Sequence, residues 1–208
     1  MKLSILSSKR ADMKKIVLGS ASPRRKELLE QIGIEFSVKV SNKEECYVSD
    51  TPEEIVKELA LMKAKNVCED LICEKEDNVV VIGADTVVVY NGKILGKPKD
   101  DEDAFNMIKS FSGKKHYVYT GIAIADIIGD KIDVLVNEAV KTTVFVNEMT
   151  DEEIKDYIET KEHRDKAGAY GIQGRFAAYI SHIEGDYYNV VGLPVSKIYE
   201  KLKKYGII

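Results

Sequence analysis

Residues 16–25 read Ile16-Val17-Leu18-Gly19-Ser20-Ala21-Ser22-Pro23-Arg24-Arg25. A β-branched run gives way to small residues, and then to an apolar-periodic segment (Leu28, Leu29, Ile32) that stops at Gly33. The order is a strand, a small-residue turn and a helix start. Ser22 is placed to cap that helix and Pro23 suits its first position. Arg24 and Arg25 fall in the first turn, where two cations oppose the helix dipole while the free N–H groups favour an anion. Such a pair makes sense if a polyanion arrives. Arginines at helix starts are also often solvated or paired with surface carboxylates, and this stretch alone leaves both readings open. It matches neither G-x-x-x-x-G-K-[ST] nor G-x-G-x-x-G, so a phosphate site here is of another design.

The pattern continues downstream. Thr51-Pro52-Glu53-Glu54 predicts a capping box and a helix that carries Ile55, Leu59 and Met62 through Val67. Val79 to Tyr90 is β-rich, and Asn91-Gly92 signals a type I′ hairpin into Lys93-Ile94-Leu95. Asp101 to Phe111 reads as a helix closed by Gly113, and residues 118–127 and 132–146 as two strands around Gly129-Asp130. Thr150-Asp151-Glu152-Glu153 predicts a second capping box and a helix through Tyr157; residues 196–205 are helical after Gly192-Leu193-Pro194. Helices interleave with strands, some of them joined by hairpins. The fold class is therefore α/β, a mixed twisted sheet flanked by helices.

Composition bounds the function. At 208 residues the chain can bury a sizeable core as one domain, with room for two lobes; 44% hydrophobic and 32% charged residues suit a globular protein. A net charge of -4 does not recruit nucleic acid, so any polyanion must meet a local basic cluster. The longest apolar runs (79–84 and 86–90) are too short to span a bilayer, and no membrane association is expected. Lys2, Lys9 and Arg10 precede no sustained apolar core, so a secretion signal is not expected at the start; residues 1–13 read as an extension, with Met13 an alternative start. Three cysteines (Cys46, Cys68, Cys73) argue against a disulfide framework, and no histidine stands near to complete a zinc set. A reducing cytoplasm is the expected compartment.

Several spots carry chemistry. Asp85, in Gly83-Ala84-Asp85-Thr86, interrupts an apolar run, and a carboxylate in a buried strand is costly unless paired, hydrogen-bonded or on a metal. Gly83 beside it suggests close approach of a ligand or of backbone. Lys97, in Gly96-Lys97-Pro98, is expected near the same sheet end as Asp85. Lys63 lies among Leu61, Met62 and Ala64 and is expected to face inward, though single helix lysines are usually solvated. Glu44-Glu45 reads as surface, or as a magnesium ligand beside phosphate oxygens. Asp165 to Gly174 is dense in glycine and alanine: either a turn packed on the sheet, or backbone brought close to a ligand, with Tyr170 a stacking face and Gln173 an amide for a base edge. His116 is expected at the surface or a helix end, and His163 and His182 carry no pattern.

These motifs, taken in order, resemble the Maf family of nucleoside triphosphate pyrophosphatases from about Ile16 to the C-terminal helix. The set is Gly19 to Arg25, Glu44-Glu45, Lys63-Ala64, Gly83 to Thr86, Gly96-Lys97-Pro98, Ser112-Gly113 with His116, Thr120-Gly121, Asp165 to Gly174, Gly185-Asp186-Tyr187 and Asn189 to Pro194. The resemblance implies an inosine-triphosphatase-like (Maf) fold with two lobes around a central cleft, as one domain over residues 14–208. It also implies metal-dependent hydrolysis between the α and β phosphates, with Mg2+ or Mn2+. Asp85 would be the proton acceptor, and Glu45 would act with it and share the metal. Ser20, Arg24, Arg25, Lys63, Lys97, Thr86 and Gln173 would bind substrate. Arg24, Thr86 and Gln173 resemble the branch that prefers dTTP and UTP; the 7-methyl-GTP branch usually carries tryptophan after Ser-Pro, and this chain has none. Arg175-Phe176-Ala177-Ala178 replaces a more glycine-rich family segment. Modified pyrimidine nucleotides are further candidate substrates. A pyrophosphatase for another base and a nucleotide-binding regulator of septum formation are the alternatives. The residues leave oligomeric state open; the family's dimers imply a homodimer.

Overall fold

The computed structural model describes residues 14–208, so the expected extension over 1–13 lies outside the described residues. The β-branched run at the start forms β1 (Lys15–Leu18), and the turn after it leads into α1 (Pro23–Gln31). A short β2 (Ser37–Val38) and the long α2 (Pro52–Cys73) follow. Then come β3 (Val79–Tyr90), β4 (Lys93–Leu95), α3 (Asp101–Phe111), β5 (Lys115–Ile128) and β6 (Lys131–Val146). After α4 (Asp151–Glu159), two 3-10 turns (Ala167–Ala169 and Arg175–Tyr179) lead to β7 (Ile180–Glu184), α5 (Tyr187–Val191) and α6 (Val195–Lys204).

One mixed sheet runs β2-β1-β3-β5-β6-β7, with β4 paired to β3 as well. The β1–β2 and β1–β3 pairs are parallel and the others antiparallel. The hairpin between β3 and β4 turns at Asn91 (φ 48) and Gly92 (φ 73), the positive-φ pair that a type I′ turn requires. Strand β5 extends beyond its predicted span at both ends and β6 by one residue at the hairpin, because their ladder continues to Lys115↔Phe145 and Ile128↔Lys131.

Alternation along β3 sends Val79 and Val81 to one face and Val80, Ile82 and Ala84 to the other. The first set packs on Ala60, Ala64, Val67 and Leu71 of α2. The second packs on Leu28 and Leu29 of α1 and on Val195, Ile198 and Leu202 of α6. Further along the same strands, Val88, Val118 and Val144 build a separate core with Phe111 of α3, Tyr157 of α4 and Phe176. Two apolar cores thus share one face of the long strands, one at each half.

Helix α2 lies unusually close to the sheet. A Cβ on Gly83 would stand 2.3 Å from the Ala60 carbonyl oxygen, and one on Gly121 would stand 2.0 Å from that of Val56. Gly83 therefore serves the approach of backbone rather than of a ligand. Two predicted caps differ in detail. Ser22 stands at the N-cap but its side chain makes no capping bond; the Ser22 N–H instead donates to Ser20 Oγ at 3.3 Å. Thr51 accepts from the Glu54 N–H, but Glu54 spends its carboxylate on Lys57, so the reciprocal half of that box is missing. The box at Thr150 and Glu153 is complete.

Candidate active site

Strand β3 has a gap along one edge. Strand β1 pairs with residues 79–82 and β4 with residues 88–90, on the side opposite β5. Residues 83–87 between them carry no strand on that edge, and Asp85 and Thr86 sit there. A cleft of about 480 Å³ opens at this gap. Asp85 thus lies mid-strand rather than at a sheet end, and Lys97 reaches the same cleft from the loop after β4. The gap lets successive residues of opposite faces both border one cleft.

On the α2 side, the Lys63 ammonium donates to Asp85 Oδ1 at 2.6 Å and stands 3.1 Å from Glu45 Oε2. The close seating of α2 on Gly83 and Gly121 brings Lys63 there. Asp85 is thereby paired, which offsets the cost of burying its carboxylate. Its Oδ2 has no protein partner among the described residues. Among those residues no group of three or more His, Cys, Asp or Glu side chains converges to hold a metal ion. Two carboxylates do converge on one cation, the Lys63 ammonium, and magnesium typically takes one or two carboxylates with the rest of its shell from phosphate and water. The donor set fits such an ion.

On the α1 side, Arg25 is buried and spends three N–H groups on protein. Its Nε donates to the Gly192 carbonyl at 2.8 Å, Nη1 to Ser20 Oγ at 2.9 Å and Nη2 to Thr86 Oγ1 at 3.1 Å. Burial lowers its pKa, and the nearby Asp85 charge works the other way. Ser20 is buried behind Arg25 as its acceptor. Arg24 reaches across the cleft mouth to Asp165 at 3.0 Å. Burial acts to raise the Asp165 pKa, but hydrogen bonds from Lys166 and Arg24 outweigh it and hold the carboxyl at about 2. The first-turn arginines are therefore neither simply solvated nor equivalent: one braces the floor, the other spans the entrance.

The glycine-dense segment packs against protein along its length: a Cβ on Gly171 would stand 2.7 Å from Lys166 Cε and one on Gly174 2.0 Å from Glu162 Oε2, and Tyr170, expected as a stacking face, is buried. Gly168 (φ 69) presses on Val88, where a Cβ would stand 2.9 Å from its Cγ1, and its N–H donates to the Gly96 carbonyl at 3.0 Å. Gly171, the exposed Gln173 and Gly174 border the cleft. Lys97 borders it too, exposed and without an ion pair among the described residues.

His116 departs from expectation. It is fully buried, lies 4.7 Å from the Phe111 ring centroid, and its Nε2 shares a 2.7 Å hydrogen bond with Tyr170 Oη. Burial pushes its pKa down to about 4. It was misplaced because its polar neighbours, Lys114 and Lys115, hide a strand that turns inward at the next residue. Sequence reasoning also passed over Lys43, Asn66 and Lys166, all on the cleft wall. Asn66 was within reach, since it lies three positions after Lys63 and so on the same helix face.

A family model described as "Maf-like protein" matches residues 15–205. A protein named dTTP/UTP pyrophosphatase from Lachnoclostridium phytofermentans is 49% identical over 197 residues, covering 94% of this chain and 97% of the relative. One of the same name from Alkaliphilus oremlandii is 51% identical over 187 residues, 89% and 93% of the two chains. Another, from Agathobacter rectalis, is 48% identical over 205 residues, 94% and 99% of the two. Among solved structures, a HAM1 protein from Coxiella burnetii aligns with a TM-score of 0.46 at 13% identity, over 92% of this chain and 100% of that one.

Proposed function

The chain belongs to the Maf family, and on that premise we propose that it hydrolyses dTTP and UTP to the nucleoside monophosphate and pyrophosphate. The observation that supports this most is the meeting of Asp85, Lys63 and Glu45 with Arg24 and Lys97 in one cleft. It gathers a base, phosphate-binding cations and a pair of carboxylates around one space.

Asp85 accepts the proton of the attacking water at Oδ2, the oxygen that Lys63 leaves open. The water oxygen bonds to the α-phosphorus, the bond from that phosphorus to the bridging oxygen breaks, and pyrophosphate leaves. Lys63 orients Asp85 through its hydrogen bond to Oδ1, and Lys97 and Arg24 neutralise the phosphate oxygens as charge develops. Glu45 and Asp85 would hold a divalent cation, which would supply further charge neutralisation to the phosphates. Arg25 and Ser20 act from behind: they fix the turn from β1 into α1 against Thr86 and Gly192. Residues 14–208 function as one domain in this reading.

Purified protein is expected to release pyrophosphate from dTTP and UTP with magnesium or manganese. Asp85→Asn is expected to lower kcat by about 10²–10⁴-fold, the usual worth of a positioned base, with the melting temperature little changed. Unchanged turnover in a folded Asp85→Asn protein removes Asp85 from this role.

A further inference from the structure

The two apolar cores on the α1 face of the sheet are divided by a polar seam. Thr86 on β3, Thr120 on β5 and Thr142 on β6 lie along it, and Asn189 of α5 closes it; Thr120, Thr142 and Asn189 are fully buried. Asn189 Nδ2 donates to Thr142 Oγ1 at 2.9 Å and to the Val118 carbonyl at 3.1 Å. Thr142 Oγ1 donates in turn to the Asp186 carbonyl at 2.9 Å. The cleft end of this seam is Thr86, whose Oγ1 lies 2.9 Å from Thr120 Oγ1.

The direction of that contact follows from proton counting. Thr120 Oγ1 lies 2.9 Å from the Asn189 carbonyl oxygen, which can only accept, so the single Thr120 proton goes there. Thr86 must therefore donate to Thr120 if both contacts are hydrogen bonds. Thr86 Oγ1 also accepts from Arg25 Nη2 at 3.1 Å. A hydroxyl has one proton and two lone pairs. One lone pair of Thr86 remains, and Thr86 borders the cleft. Toward a ligand, Thr86 is an acceptor only.

An acceptor-only hydroxyl cannot hold a phosphate oxygen, which is an acceptor as well. It calls for an N–H, an O–H or a metal ion, and the carboxylates that would hold a metal ion face α2, whereas the Thr86 hydroxyl meets Arg25 of α1. We infer that Thr120 is a positioning residue for base selection: by taking the Thr86 proton, it leaves Thr86 to accept the imide N3–H of uracil or thymine and to reject cytosine, whose N3 is an acceptor. The inference rests on the dTTP/UTP reading above, and deepens it. A site that takes both dTTP and UTP reads what they share, and the imide is common to both while the 2′-hydroxyl and the 5-methyl are not. Gln173 borders the same cleft with an amide that can serve the carbonyls flanking that imide.

The test compares kcat/KM for UTP and CTP in the wild type, Thr120→Val and Thr120→Ser, with melting curves for each. In Thr120→Val the Thr86 proton loses its acceptor and becomes free to point into the cleft. The UTP-to-CTP ratio is expected to fall by about tenfold or more, the scale of one hydrogen bond, with CTP turnover rising in absolute terms. Thr120→Ser restores the acceptor and the wild-type ratio. A folded Thr120→Val protein with an unchanged ratio overturns the inference. So does an equal loss on both substrates, which points to a sugar hydroxyl or to general loosening. Should Thr120→Val not fold, the wild type with N3-methyl-UTP decides: the inference requires at least about a tenfold loss against UTP, and equal turnover overturns it. Failure of the parent reading is separate, since it shows as no pyrophosphate release from UTP or dTTP by the wild type.

Discussion

At the scale of single residues, pairing decides which groups act and which merely sit. Asp85 was legible as an anomaly, a carboxylate in an apolar run, but its partner Lys63 is 22 residues upstream and Glu45, which shares that lysine, is 40, and no local pattern names them. Arg24 and Arg25 were legible as a pair. Their separate fates depend on Gly192 and Asp165, which only the folded chain brings near. His116 carries a prediction of its own. Its pKa lies near 4 in the folded protein and about 6.5 in the unfolded chain. Between those values the unfolded chain binds a proton that the folded one refuses, so this contribution is complete above pH 6.5 and is lost as pH falls toward 4. The total is about 3 kcal/mol. Urea unfolding at pH 7 and pH 4.5 should show a drop that is markedly smaller in His116→Phe; an equal drop assigns the acid sensitivity to other groups.

At the scale of elements, the hydrophobic periods were informative where they were long. Strand β3 and helix α3 match their predicted spans, because β-branched runs on either side of Asp85 and a glycine stop leave little choice. Helix α2 runs to Cys73 rather than Val67, since Cys68 and Leu71 continue its buried stripe through a polar-looking stretch. What the periods could not reveal is how close α2 lies. Its contact depends on Gly83 and Gly121 from different strands, which the β3–β5 ladder brings together across a register of Asp85↔Gly121. Gly121→Ala places a methyl group against the Val56 carbonyl and should cost about 1–3 kcal/mol, or several degrees of melting temperature. Because α2 carries Lys63, kcat should fall as well. A Gly121→Ala protein with wild-type melting and turnover would show that the helix is free to shift without consequence.

At the scale of the whole molecule, the site exists because of topology. A chain of net charge -4 gathers Arg24, Arg25, Lys43, Lys63, Lys97 and Lys166 around one cleft, where β1 ends and β4 has not yet begun. The mixed sheet was legible from interleaved helices and hairpins. The gap along β3 was not, because it depends on which strands pair and where each stops. Through that gap residues from the two faces of one strand, Asp85 and Thr86, border the same cleft, and the proposed reaction gives them separate tasks, water for the first and base for the second. The central claim, water attack on the α-phosphorus, is tested most directly by turning over UTP in water enriched in oxygen-18 and weighing the products. The account predicts UMP and pyrophosphate, with the label in UMP. Label in pyrophosphate, or release of UDP and inorganic phosphate, would contradict it.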